Sequence, residues 1–159
     1  MIKVMFVCHG NICRSPMAEF VFKMLIKEKG VSHLFYVASS ATSDEEIYGT
    51  RGNPIYPAAR RELEKRKVPY GARCATQLES ADLEKYDLFI GMDNRNIRNM
   101  KIILGNKSEG KIRKLLDYTE SGGEVSDPWY SGRFDIAYDD IYRGCVCLLN
   151  SLLNKEGVR

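Results

Sequence analysis

The run Val4-Met5-Phe6-Val7 is apolar at every position and breaks at once into Cys8-His9-Gly10-Asn11-Ile12-Cys13-Arg14-Ser15-Pro16. A strand without polar alternation must be buried on both faces, as in a parallel sheet covered by helices. The segment that follows, Met17 to Lys29, reads as such a helix. Strand, tight polar loop and helix start point backbone N–H groups and a helix N-terminus at one spot. The loop opens on a thiol and carries a guanidinium six positions later. One loop is thus equipped to hold a phosphate-sized anion and to attack it, which points to an enzyme that forms a phosphocysteine.

The same alternation continues along the chain. Leu34–Ala38 and Leu88–Met92 read as further buried strands, and Ile112–Leu116 as a weaker fourth. Pro16–Lys29, Pro57–Lys67 and Asn94–Leu104 carry helix signals between them. Pro16 and Pro57 suit a first helical position, Asp93 suits a cap, and Gly30 suits a C-terminal stop. A last helix, from about Asp135 to Asn154, bears the stripe Ile141, Cys145, Leu148, Leu149 and Leu152, which packs on a core. The expectation is one small doubly wound α/β domain over 1–159. Its four-stranded parallel sheet is flanked by helices, with a phosphate-binding loop after the first strand. In such folds ligands bind beyond the carboxyl ends of the strands, where Cys8 falls.

Composition excludes several classes. A net charge of +3 is too small to imply nucleic acid, and a local basic site for an anionic substrate accounts for it. No segment approaches the roughly 18 apolar residues of a membrane span, and the N-terminal run is interrupted too early for a secretory signal. Five scattered cysteines, an odd number, speak against a disulfide scaffold and for a reducing cytoplasm. No Cys-x2-Cys pair suggests zinc, and neither metal nor cofactor is expected. Cys74, Cys145 and Cys147 read as core or surface fillers. The basic residues Arg60, Arg61, Lys65, Arg66 and Lys67 read as the solvated face of a helix.

The residue types suit the chemistry. An ordinary cysteine, with a pKa of about 8.5, is only about 3% thiolate at pH 7. Loop N–H groups, the helix that starts near Pro16 and the Arg14 cation favour an ionised Cys8. Ionisation alone is worth only about 30-fold. Most of the rate must therefore come from in-line positioning and charge stabilisation by Arg14 and the loop amides. The planar fork of Arg14 matches two phosphoryl oxygens. Gly10 lets the backbone turn back, and Asn11 tolerates the left-handed conformation such loops require. Ser15 is placed to cap the helix and to donate its hydroxyl to Cys8.

A leaving oxyanion also needs a proton. Ser126-Asp127-Pro128-Trp129-Tyr130 is a turn-rich segment with an acid beside two aromatics. Asp127 is the candidate general acid, and then the base that activates water. An ordinary aspartate is about 0.1% protonated at pH 7, so this role predicts an acidic activity optimum. Trp129 and Tyr130 would wall the mouth against which an aryl phosphate lies.

With Cys8-x5-Arg14-Ser15, the Gly-Asn-Ile-Cys between them, Pro16 and the distant Asp127-Pro128, the chain resembles the low-molecular-weight protein tyrosine phosphatases from Lys3 to about Lys155. The resemblance implies Cys8 as nucleophile, Arg14 as phosphate clamp and Asp127 as acid/base. His9, Gly10, Asn11, Ile12, Cys13 and Ser15 then bind phosphate with Trp129 and Tyr130. Asn11, Ser15 and Ser39 support the loop, and Asp93 is the buried acid behind it. Cys13 matches a second loop cysteine that can form a protective disulfide with Cys8, which makes the enzyme redox-regulated. Tyrosine-phosphorylated proteins are the implied partners, and inorganic phosphate or sulfate would fit the loop.

Three features depart from the family pattern. His9 stands where relatives usually carry a smaller or apolar residue, though an incidental loop histidine is the plainer reading. The stretch Tyr70-Gly71-Ala72-Arg73-Cys74-Ala75 lacks a histidine that many members use to support the loop, and Arg73 stands near its place. The loop at Asp44–Gly52 is longer than in animal relatives, with Tyr48 as a candidate pocket wall. Rival readings are an arsenate reductase, a protein-arginine phosphatase, a phosphocarrier and a non-catalytic phosphoprotein-binding module. The first lacks its relay cysteines, and the second places threonine where Ile12 stands. The last two have no use for Cys8, Arg14 and Asp127 together.

Overall fold

A computed structural model describes residues 1–155. The last four residues of the expected 1–159 domain lie outside the described residues. Four parallel strands, β1 (Ile2–Cys8), β2 (Phe35–Ala41), β5 (Leu88–Gly91) and β6 (Ile112–Lys114), form a sheet in the order β2-β1-β5-β6. A two-stranded hairpin, β3 (Ile47–Tyr48) and β4 (Arg51–Gly52), stands apart from it. The helices are α1 (Arg14–Glu28), α2 (Pro57–Lys65), α3 (Asn94–Leu104), the short α4 (Pro128–Ser131) and α5 (Phe134–Lys155). This is the doubly wound α/β arrangement expected from the alternation of apolar runs and helical stretches.

β1 shows why its sequence is apolar without interruption from Val4 onward, after the exposed Lys3. Val4, Phe6 and Cys8 face the larger core, which α1 and α5 complete with Val21, Phe22, Ile141 and Leu148. Met5 and Val7 face a smaller core with Phe89, Met100 and Leu104 from β5 and α3. The part of a central strand in contact with both layers has no solvated face, so each of its side chains must be apolar. The carboxyl ends of β1 and β5 lie side by side, with Val7 opposite Gly91. The loops that leave these two strands are therefore neighbours.

Some boundaries moved. Helix α1 starts at Arg14, two residues before Pro16, and Cys13 is its N-cap without any side-chain bond. Ser15 consequently lies inside the first turn and caps nothing. Pro57 does open α2, Asp93 does cap α3, and Gly30 follows α1 at φ +70°, where glycine is favoured. Within the 44–52 stretch, read from the sequence only as a long loop, residues 47–52 fold as the β3–β4 hairpin. Among the described residues no helix is long and apolar enough to cross a membrane.

Candidate active site

Residues 8–14 curl around a cavity of about 130 Å³ at the carboxyl end of β1. The turn depends on Asn11, which is wholly buried at φ +59°, a left-handed conformation that asparagine tolerates better than most residues. Gly10 has no positive φ; a Cβ there would instead press on Glu46 Cγ at 3.3 Å. Outer neighbours hold the loop carbonyls. Thr42, Ser43 and Tyr56 N–H groups donate to the carbonyls of Cys8, His9 and Ile12 at 2.8–3.0 Å. A loop whose carbonyls are satisfied from outside can turn its amides to the concave side.

Cys8 collects three of the loop's polar groups. The Asn11 and Ser15 N–H groups donate to Sγ at 3.3 and 3.4 Å, and Ser15 Oγ lies 3.0 Å from it. Ser15 is the second helical residue, so an otherwise unpaired helix N–H is aimed at the sulfur. Pro16, next in line, has no N–H to satisfy. The hydroxyl contact expected of Ser15 is present, while the cap is not.

Arg14 is 3% exposed and is gripped from behind. Its Nη1 donates to Asp93 Oδ2 at 2.8 Å and to the Val125 carbonyl at 2.9 Å. Its Nη2 donates to Asp127 Oδ2 at 3.5 Å. Burial works against the guanidinium charge, but Cys8, the Asp93 hydrogen bond and Asp127 outweigh it and push the Arg14 pKa above its usual value. Asp93 is half-buried rather than buried, and its other oxygen caps α3. Asp127 caps α4 through the Trp129 N–H at 3.0 Å. Trp129 and Tyr130 line the cavity while staying more than half exposed, and Trp129 leans edge-on against Tyr56 with ring centroids 5.0 Å apart.

The structure brings together Cys8, His9, Gly10, Asn11, Ile12, Cys13, Arg14, Asp127, Trp129 and Tyr130 around one cavity. Ser39 is not among them. Its hydroxyl donates to Glu19 at 2.6 Å, away from the loop, and only its carbonyl reaches Thr76, a neighbour of Asn11. Tyr48 is exposed and does not line the cavity; Glu45 and Glu46, which precede the hairpin, do. His9 Nε2 lies 3.0 Å from Glu45. No local motif distinguishes Glu45, Glu46 or Val125, because the chain's course alone brings them here. Cys13 is buried, and burial first, then Cys8, pushes its thiol well above the usual range.

Fold and loop together define a doubly wound α/β protein that presents a thiol, a guanidinium and a carboxyl group in one phosphate-sized pocket. A family model for the low molecular weight phosphotyrosine protein phosphatases matches residues 3–158. YfkJ of Bacillus subtilis, a low molecular weight protein-tyrosine-phosphatase, is 36% identical over 98% of this chain and 99% of its own length. PtpA of Staphylococcus aureus, which bears the same description, is 30% identical over 100% and 99%. The crystal structure of SP-PTP from Streptococcus pyogenes superposes with a TM-score of 0.86 at 38% identity, covering 98% of this chain and 96% of that one. The chain belongs to the low molecular weight phosphotyrosine protein phosphatase family, a class of hydrolases.

Proposed function

We propose that this phosphatase, as one domain spanning the whole chain, hydrolyses phosphotyrosine in cytoplasmic proteins through a phosphocysteine on Cys8. One observation carries the reading. Three polar groups converge on Cys8 Sγ in the same cavity as Arg14 and Asp127. In the first step the Cys8 thiolate attacks phosphorus and the bond to the tyrosyl oxygen breaks. Asp127 gives its proton to that oxygen, which leaves as a phenol. Arg14 Nη1 is committed to Asp93 and Val125, so the Nη2 edge, which faces Asp127, is the one available to the equatorial oxygens. In the second step the Asp127 carboxylate takes a proton from water as that water attacks phosphorus. The sulfur–phosphorus bond breaks, inorganic phosphate leaves, and the Ser15 hydroxyl stabilises the departing thiolate.

Trp129 and Tyr130 supply an aromatic wall for a phenyl ring, and apolar Ile12 in the lining suits an aryl ester better than a phosphorylated guanidine. Tyrosine-phosphorylated proteins are the partners this pocket fits. The test is hydrolysis of para-nitrophenyl phosphate, with EDTA present, by wild type, Cys8→Ser and Asp127→Ala. Activity should survive EDTA, vanish with Cys8→Ser and fall about 100-fold or more with Asp127→Ala. Turnover that persists in Cys8→Ser would overturn the mechanism.

A further inference from the structure

Asn11 is held from behind by Arg73. Its backbone carbonyl accepts from Arg73 Nη1 at 2.8 Å, and its side-chain Oδ1 accepts from Nη2 of the same guanidinium. The Thr76 N–H donates to that Oδ1 as well, at 3.1 Å. Two donors on one oxygen fix which way the amide lies. Nδ2 must then face Ser15, and it donates to Oγ at 2.7 Å. Ser15 Oγ already receives a hydrogen, so its own proton needs an acceptor. Cys8 Sγ lies at 3.0 Å and the Ser40 carbonyl at 3.5 Å. The nearer sulfur, anionic when reactive, takes the proton.

The segment that carries Arg73 is itself tied down at two places. The Ala75 N–H donates to the Asn53 carbonyl at 2.7 Å, and the Thr76 carbonyl accepts from the N–H of Ala41, the last residue of edge strand β2, at 2.8 Å. The groups that face the guanidinium are Glu19 on α1, Cys8 at the end of β1 and the adjacent Cys74. Burial lowers the Arg73 pKa and these three partly restore it. A guanidinium nevertheless stays charged across any pH at which an enzyme works.

We infer that Arg73 is a positioning residue, touching neither substrate nor sulfur, that locks the Asn11 amide and so directs the Ser15 proton onto Cys8 independently of pH. The inference rests on Cys8 being the nucleophile. It also pins the left-handed backbone of Asn11, whose own N–H reaches Cys8.

The test compares Arg73→Met, Arg73→Lys and Arg73→His with wild type. Readouts are kcat and KM on para-nitrophenyl phosphate from pH 4.5 to 8, thermal melting, and the rate of Cys8 alkylation by iodoacetate against pH, followed by mass spectrometry. Arg73→Met should lower kcat about 10- to 100-fold, more than it changes KM, and move the alkylation profile to higher pH. Arg73→Lys keeps the charge, loses the fork and should fall between. Arg73→His can donate twice only when protonated, so its kcat should show an added decline around pH 6.5 that wild type lacks. An Arg73→Met enzyme that melts like wild type with kcat within threefold overturns the inference, as does an Arg73→His enzyme with the wild-type pH profile. Should Arg73→Met fail to fold, the His profile decides, because recovery on acidification within one folded sample cannot come from a lost fold. Alkylation reads Cys8 without turnover, so it separates failure of the relay from failure of the phosphatase mechanism.

Discussion

Asp93 Oδ2 accepts a hydrogen bond from Arg14 Nη1 at 2.8 Å, while Oδ1 of the same carboxylate accepts from the Asn96 N–H at 2.8 Å. One side chain therefore orients the buried guanidinium of the loop and caps the helix that follows the neighbouring strand. The two duties can be separated. Asn is as good a cap as Asp, so Asp93→Asn should keep the helix cap and cost less than Asp93→Ala in urea unfolding. It abolishes the ion pair and turns an NH2 toward the Arg14 donor, and kcat should fall about 10-fold as the fork loses its fixed angle. Asp93→Ala removes both and should cost about 2–4 kcal/mol, since Arg14 then keeps its charge in a buried place with one partner fewer. A fully active Asp93→Asn enzyme would show that Arg14 needs no such hold.

The proposed first step consumes the Asp127 proton, so kcat should decline as pH rises and the carboxyl group ionises. The expected optimum is accordingly acidic. Asp127→Asn keeps the shape and the α4 cap but cannot act as an acid. It should lose about 100-fold or more near pH 5.5 and show no decline toward alkaline pH. A wild-type profile that keeps climbing above neutrality would sink the assignment.

Cys13 stays a thiol at neutral pH because burial, reinforced by Cys8, holds its proton. Peroxide should therefore oxidise Cys8, giving a sulfenic acid. Attack by the Cys13 sulfur would then release water and leave a Cys8–Cys13 disulfide that added thiol reverses. Cys13→Ser should lose activity to peroxide without recovery. Equal recovery in wild type and variant, measured after dithiothreitol, would refute a protective disulfide.

Cys145 is fully buried, and burial alone pushes its thiol far up. Below about pH 8.5 folded and unfolded chains both keep this proton and stability does not depend on it. Above that, only the unfolded chain releases it, so stability falls by up to about 1.4 kcal/mol per pH unit. Urea unfolding between pH 8.5 and 10 should show a shallower decline for Cys145→Ala than for wild type, even though the variant starts lower. Parallel declines would mean that the thiol titrates alike in both states.

Gly52 has no room for a side chain: a Cβ would sit 1.9 Å from the Ala75 carbonyl oxygen. Backbone cannot yield as a side-chain tip does, so Gly52→Ala should cost about 2 kcal/mol or more. It should also lower kcat, since Ala75 lies two residues from Arg73. Wild-type melting in Gly52→Ala would contradict the close packing.

The fold was legible because its signals are local. β1 is apolar from Val4 to Cys8 since that stretch touches two cores, and α3 was read over Asn94–Leu104, the residues it occupies, from its Asp93 cap. The start of α1 was misread because Pro16 fits the third helical position as well as the first. The hairpin around Gly49 was read only as a long loop, since four short-strand residues carry too little pattern to announce pairing. Ser39 was assigned to the loop by resemblance; its hydroxyl binds Glu19, and only its carbonyl connects to Asn11, through Thr76.

The loop from Cys8 to Ser15 is contiguous, so the residues alone determined that a thiol, a left-handed asparagine, a guanidinium and a hydroxyl share one turn. Chain connectivity holds them within a few ångströms in any fold that keeps strand, loop and helix together. What stands around that loop was decided by tertiary structure. Asp93 reaches Arg14 because β5 lies beside β1, Asp127 arrives from 113 residues away, and Arg73 reaches Asn11 across 62. Such contacts carry no sequence period, because they depend on which strand ends the parallel crossovers place side by side.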